Sequence, residues 1–349
     1  MATLIFAGNV NASILTVNNN TTSPGTYNTL TAAIAAAHSG DTLLVAGSPA
    51  DYAPSNSTIL INKPLTLWGT GFNLLKDNPV TSKINQITLQ SGSSGTVIVG
   101  FVIGGYLNTD GSVQINNIVV KRNWINILTD SYGDGWLIQE NLFGYGNNGI
   151  GVNGNNIQVK NNIFQGSPYA AVGNSAGNTN FVFSNNLVFN WEYTNGTFYN
   201  ALVTNNIFYD SSKTSFSYVS NNTSNTLFSN NIVYGNPYAN PFYIGANSNT
   251  EAGNRYNTDP QFTNLKLFKS GYQFYETVDL TSDLTLKTTS PGHNTGTDTK
   301  DIGLYGGAGS QNPVTGNPAI PQISTMNILN TVVAPGTTLN VQIRAKSNN

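Results

Sequence analysis

Cysteine is absent from the chain. That removes disulfides, thiolate nucleophiles and cysteine metal sites together, and fits either an intracellular protein or a secreted bacterial one that does not rely on oxidation. Histidine is almost absent: His38 and His293 are the only two. Ser-His triads and histidine zinc sites are therefore largely excluded, and no metal centre is expected from these residue types. Charge is scarce as well, at 9% of residues against roughly 25% in an ordinary soluble protein. The 14 basic residues are dispersed along the chain and the net charge is -2, so no basic stripe is expected for a phosphate backbone and nucleic acid is not an expected partner. No run approaches the roughly 18 apolar residues of a spanning helix, so no membrane span is expected.

Asparagine fills the gap left by charge, with 54 Asn and 35 Gly in 349 residues. The surface is polar mainly through Asn, Ser and Thr. The length suits two ordinary domains or one large solenoid. The opening "MATLIFAGNVNA" reads either as the remnant of a secretory signal, without its basic region, or as a first strand. In "TYNTLTAAIAAAHSGD", Leu30, Ala33, Ile34 and Ala37 recur at helical spacing. They predict one amphipathic helix over 28–38, with Asn28 or Thr29 as N-cap, Gly40 as the stop and His38 as a cation at the C-terminal dipole. After it come short strands separated by Gly, Ser, Asn and Pro turns, and no second helix.

Six windows align on one residue: "VKRNWI", "IQENLF", "VKNNIF", "FSNNLV", "VTNNIF" and "FSNNIV". The aligned asparagines are Asn123, Asn141, Asn162, Asn186, Asn206 and Asn231, at spacings of 18, 21, 24, 20 and 25 residues. That period suits one coil of a β-solenoid. Side chains alternate along a strand, so the columns three and five residues before the Asn (Val120 to Phe228, and Ile118 to Thr226) should point inward. The column two before, from Lys121 to Ser229, should face solvent. The column one before (Arg122, Glu140, Asn161, Asn185, Asn205, Asn230) should be an exposed turn residue. Stacked coils lie about 4.8 Å apart, so each Asn amide can bond the next and satisfy the cost of its own burial. This structural ladder is favoured over a catalytic use of the Asn pair.

Together with "TLTAAIAAAHSGDTLLVAGSPADYAPSNSTILINKPLTLWGTG", the repeats resemble the pectin lyase-like superfamily of right-handed parallel β-helices. The features that match are the Gly40-Asp41-Thr42 turn, the strand Leu43 to Val45, Tyr52, and Ile61-Asn62-Lys63-Pro64 leading to Gly69. The resemblance implies an all-β, right-handed, single-stranded solenoid over 13–310, with the helix capping its N-terminal end. It further implies a secreted or cell-surface bacterial protein whose coil stack is closed by "SPGHNTGTDTKDIGLYGG". Function does not follow from such a fold. The superfamily's polygalacturonase and methylesterase motifs are missing, and of three arginines only Arg122 lies in the repeats.

Two neighbourhoods carry chemistry. Lys121, Arg122, Asp130, Asp134, Glu140 and Lys160 form a charged break in a neutral chain. Asp130 and Asp134 could hold calcium or substrate while a basic residue takes a proton, as in a polysaccharide lyase. The competing reading is a surface ion pair beside an acidic turn. Trp191, Glu192, Tyr193 and Tyr199 in "NWEYTNGTFYN" suit stacking on sugar rings, or else anchor a long loop. A stripe four residues before the ladder (Val119, Leu137, Gln158, Val182, Leu202, Leu227) should be apolar and exposed. The tail 311–349, two or three strands about Pro335-Gly336, is expected to cover that stripe or close the C-terminal end. The resulting expectation is an extracellular polysaccharide-interacting or surface scaffold protein that requires no cofactor. The alternatives are a polysaccharide lyase or hydrolase, with calcium if a lyase, and a self-associating structural or adhesive protein.

Overall fold

The structure, a computed structural model, describes residues 12–22, 25–72, 80–144, 150–165, 172–189, 196–211, 218–269, 276–307, 316, 322–330, 336 and 338–346. The expected strand in "TLIFA" lies outside them. The coil repeat follows from two left-handed residues set five apart. In six consecutive coils Asn117, Gly135, Asn156, Asn180, Asn200 and Asn225 have positive φ, and so do Arg122, Glu140, Asn161, Asn185, Asn205 and Asn230. Asn and Gly tolerate this region where most residues do not. Between the two corners there is room only for a short strand, such as Val119–Lys121 or Leu137–Gln139.

These strands stack into a first sheet of 11 parallel strands, from Ile14–Val17 to Thr250–Ala252. A second, largely parallel sheet runs from Ala53–Ile61 to Ile232–Tyr234. The architecture is a parallel β-solenoid. Its pairing register, Val120↔Ile138↔Val159↔Phe183↔Val203↔Phe228, is the register of the aligned asparagines. All six of those side chains are fully buried.

Two outward expectations fail. The turn column is buried at Arg122, Glu140, Asn161, Asn185 and Asn205, and in the column before it Gln139, Thr204 and Ser229 are buried too. The segment after Ser290 does not close the end of the stack. It returns along the flank, over the corner at Asn230, Asn205, Asn185 and Asn161. Asn230 donates to Thr295 O, Asn205 to Thr297 Oγ1, Asn185 to Gly303 O, and Asn161 to Leu304 O and Gly306 O. Gly306 allows this approach, since a Cβ there would strike the Asn185 amide.

The same return explains a second core outside the solenoid. One residue after five of the ladder asparagines, Leu142, Ile163, Leu187, Ile207 and Ile232 point outward and are covered by Phe262, Val278, Leu284, Leu286, Ile302 and Leu304. Strands that are apolar on both faces signal a sheet buried on both sides. The interior of the last coil is filled by Phe242, stacked on Phe228 at 4.7 Å. The flank cover and this plug both lie upstream of residue 311.

The helix runs Leu30–Ala36 with Thr29 as N-cap, and buries Leu30, Ala33 and Ile34. The cation at its C-terminus is Lys63, whose Nζ donates to Ile34 O and Ala37 O. His38 does not take that role: its imidazole is 75% exposed. Asp41 ties the first two coils together by accepting from Ser13 N and His38 N, each at 2.7 Å. These N–H groups, Ser13 first, hold its carboxyl below the usual carboxylate range. The folded value therefore lies below the unfolded value of about 3.9, so this stabilisation is complete above that pH and is lost as pH falls through the depressed folded value. The melting temperature of the wild type is expected to exceed that of Asp41→Asn at neutral pH, with the gap closing in melts taken progressively below about pH 4.

Candidate functional site

Each ladder rung makes the same bonds. The side-chain oxygen of Asn186 accepts from Asn162 N at 2.9 Å and Asn162 Nδ2 at 3.1 Å, while Asn186 Nδ2 donates to Asn206 Oδ1 at 3.0 Å and Val159 O at 3.0 Å. The series continues without a break from Asn123 through Asn141, Asn162, Asn186, Asn206 and Asn231. A seventh rung, Asn254, accepts from Asn231 Nδ2 at 3.0 Å. The alignment misses it because Gly253 and Glu251 stand where other coils carry Asn and an apolar residue. At the other end Asn123 Oδ1 accepts from Phe101 N, where Phe101 takes the ladder position. The amide oxygens and nitrogens are thus occupied along the whole stack.

The charged break lies in the left-handed corner beside the ladder. Arg122 Nε donates to Glu140 Oε2 at 2.6 Å, and Lys121 Nζ stands 3.7 Å from the same oxygen. The side chain of Glu140 is wholly buried, that of Arg122 is 5% exposed and that of Lys121 28%. This is a buried pair with a half-buried third partner, not the solvent-exposed pair expected. A buried carboxylate costs several kcal/mol of desolvation unless paired and hydrogen-bonded. Arg122, Lys121 and Gln139, whose Nε2 lies 3.5 Å from Glu140 Oε1, supply that pairing. Partial burial lowers the pKa of Lys121; Glu140 opposes the shift, and Arg122 adds to it. Both Arg122 (φ 55°) and Glu140 (φ 57°) hold the left-handed conformation, at a cost of about 1–3 kcal/mol each.

Asp134 stands at the other corner. There its Oδ1 accepts from Asn155 N at 2.8 Å, and its N–H donates to Asn116 Oδ1 at 2.8 Å. Asn155 Oδ1 in turn accepts from Thr179 N, so Asn116, Asp134, Asn155 and Thr179 make a second ladder across the sheet from the first. The strand Leu137–Gln139, about 10 Å long, lies between Asp134 and Glu140 and holds them at opposite corners. Lys160 is half-buried in the same column as Lys121, two coils on, and its Nζ bonds Gln158 Oε1. The side chain of Asp130 lies outside the described residues, although its backbone belongs to the strand Trp124–Tyr132. Among the described residues, no three His, Asp or Glu side chains come together.

Of the aromatic neighbourhood, Trp191, Glu192 and Tyr193 lie outside the described residues. Tyr199 is half-buried and bonded through its backbone to Asn174. The next residue, Asn200, belongs to the wall of an open groove of about 750 Å3 on the outer face of the first sheet. Its floor is Val182, Leu202 and Leu227, and Asn180, Asn200 and Asn225 form one side. No charged residue lines it. The asparagine column six before the ladder, which builds this wall, was readable in the sequence as a second repeat.

Compared with known proteins, the chain matches no family model and no curated protein.

Proposed function

We propose that this protein is a secreted or cell-surface scaffold whose rigid solenoid presents repeated uncharged columns of Asn, Ser and Thr to polysaccharide. In this reading the coil is right-handed, the helix Leu30–Ala36 covers its N-terminal end, and the source is bacterial. The observation that supports it is the separation of the charged candidates. Arg122 and Glu140 are buried and paired with each other while Asp134 serves a ladder at the opposite corner, which supports a structural role for them. Repeated carboxamides and hydroxyls offer both donors and acceptors to sugar hydroxyls. Co-sedimentation with insoluble neutral and acidic polysaccharides tests the reading: retention on at least one glycan is expected, and no retention on any of a broad panel contradicts it.

A second reading, a lyase acting on acidic polysaccharide with or without calcium, is favoured by one observation. Lys121 is half-buried with a lowered pKa, as suits a base. An ultraviolet assay for unsaturated uronide products decides. The scaffold predicts no product; product that disappears in Lys121→Ala would establish the lyase.

A further inference from the structure

Lys121 and Gln139 face each other across two neighbouring coils. The strands Val119–Lys121 and Leu137–Gln139 pair in parallel with Lys121 opposite Gln139. Paired strands lie about 4.8 Å apart and opposed residues leave the sheet on the same side, so an amine and a primary amide on long side chains come within reach of each other. Glu140 follows Gln139 directly, and its side chain is wholly buried. Its two oxygens divide between the pair: Oε2 stands 3.7 Å from Lys121 Nζ, and Oε1 accepts from Gln139 Nε2 at 3.5 Å. Gln139 is 5% exposed and the side chain of Lys121 28%, so bulk water is largely kept from the amide.

A nucleophilic amine and a leaving nitrogen thus flank one proton carrier, the set that transfer of an acyl group from one nitrogen to another requires. Partial burial, opposed by Glu140, lowers the pKa of Lys121, which raises its share of free amine. Lys160 also lies opposite Gln139, on the coil beyond. Its Nζ bonds Gln158 Oε1 instead.

We infer that Lys121 and Gln139 join in an isopeptide bond with Glu140 as the proton carrier. Lys121 Nζ attacks Gln139 Cδ, and the new Nζ–Cδ bond replaces the Cδ–Nε2 bond. Nζ gives up two protons in all. Glu140 takes them on the side facing the amine and passes them to Nε2, which departs as ammonium. Charge balances, the carboxylate is restored, and no oxidant, reductant or co-reactant is consumed. The product ties two neighbouring coils covalently in a chain without cysteine. Arg122 Nε holds Glu140 Oε2 at 2.6 Å, which weakens that oxygen as a base, so the bond forms slowly after folding and fresh protein is unlinked. The Arg122–Glu140 pair outlasts the reaction. The inference does not rest on polysaccharide binding.

Peptide mapping of the full chain by mass spectrometry is the test. Trypsin cuts after Lys83, Arg122 and Lys160, so the bond joins residues 84–122 to 123–160 in one branched peptide, lighter by one ammonia than the two together. In the wild type held at about pH 9, where more of the amine is neutral, this peptide is expected, with its share rising over days. Glu140→Gln keeps the amine and the amide but removes the proton carrier, and accumulation is expected to slow at least about a hundredfold. Lys121→Arg leaves the buried pair in place and is expected to give no branched peptide. A wild type without the branched peptide after that incubation, equal accumulation in Glu140→Gln, or a bond to Lys160 in place of Lys121 would each overturn the inference.

Discussion

Asn186→Ala is expected to destabilise the protein by about 3–5 kcal/mol, enough to unfold many domains outright. The substitution removes the acceptor for two donors of Asn162 and the donor to Asn206 and Val159, all in a fully buried column. Each orphaned buried group costs about 1–3 kcal/mol, and partial relaxation keeps the sum below the arithmetic total. Asn254→Ala makes the contrast. Asn254 is half-buried at the end of the stack, so water can replace what it gives Asn231, and the expected loss is about 1 kcal/mol. Denaturant unfolding of the two variants measures both. Equal, small losses would show that the ladder is not what holds the coils together.

The second large effect concerns the charged break. Arg122→Asn alone is expected to cost about 3–5 kcal/mol, because it leaves the buried Glu140 with Lys121 at 3.7 Å and Gln139 at 3.5 Å in place of its closest partner. Glu140→Asn alone removes the carboxylate that Arg122 Nε bonds. Arg122→Asn combined with Glu140→Asn removes both charges and gives each position the residue that the column carries at Asn161, Asn185, Asn205 and Asn230. Asn also accepts the left-handed conformation more readily than Arg or Glu. The double variant is therefore expected to be more stable than either single one and close to the wild type, as buried ion pairs replaced together often are. A double-mutant cycle by thermal melting measures the coupling. Singles that cost under about 1 kcal/mol would mean that the pair is solvated after all.

Much of this was legible in the sequence, because a solenoid repeats its local instructions. The aligned asparagines gave the strand register, and alternation gave the inward columns. What was missed depended on contacts far apart along the chain. Whether a residue of this corner is exposed is settled by what covers it, and at Asn161 that cover comes from a segment well over a hundred residues later, Leu304 and Gly306. One local sign did point to it: the residue after every ladder Asn is apolar, from Trp124 to Ile232, as well as the residue after that. A strand apolar on both faces requires an outer layer. The role of Asp134 was hidden differently. An acid between two glycines reads as a turn, and only the stacking of Asn116, Asn155 and Thr179 on the neighbouring coils makes it a rung.

Hydrogen–deuterium exchange of the intact chain, read peptide by peptide, tests most directly the claim that the continuous amide ladder makes the coils one cooperative unit. Peptides bearing Asn141, Asn162, Asn186, Asn206 and Asn231 are predicted to exchange together as one slow block, with the end rung Asn254 faster. Exchange in those five peptides at widely different rates, or as fast as at Asn254, would contradict it.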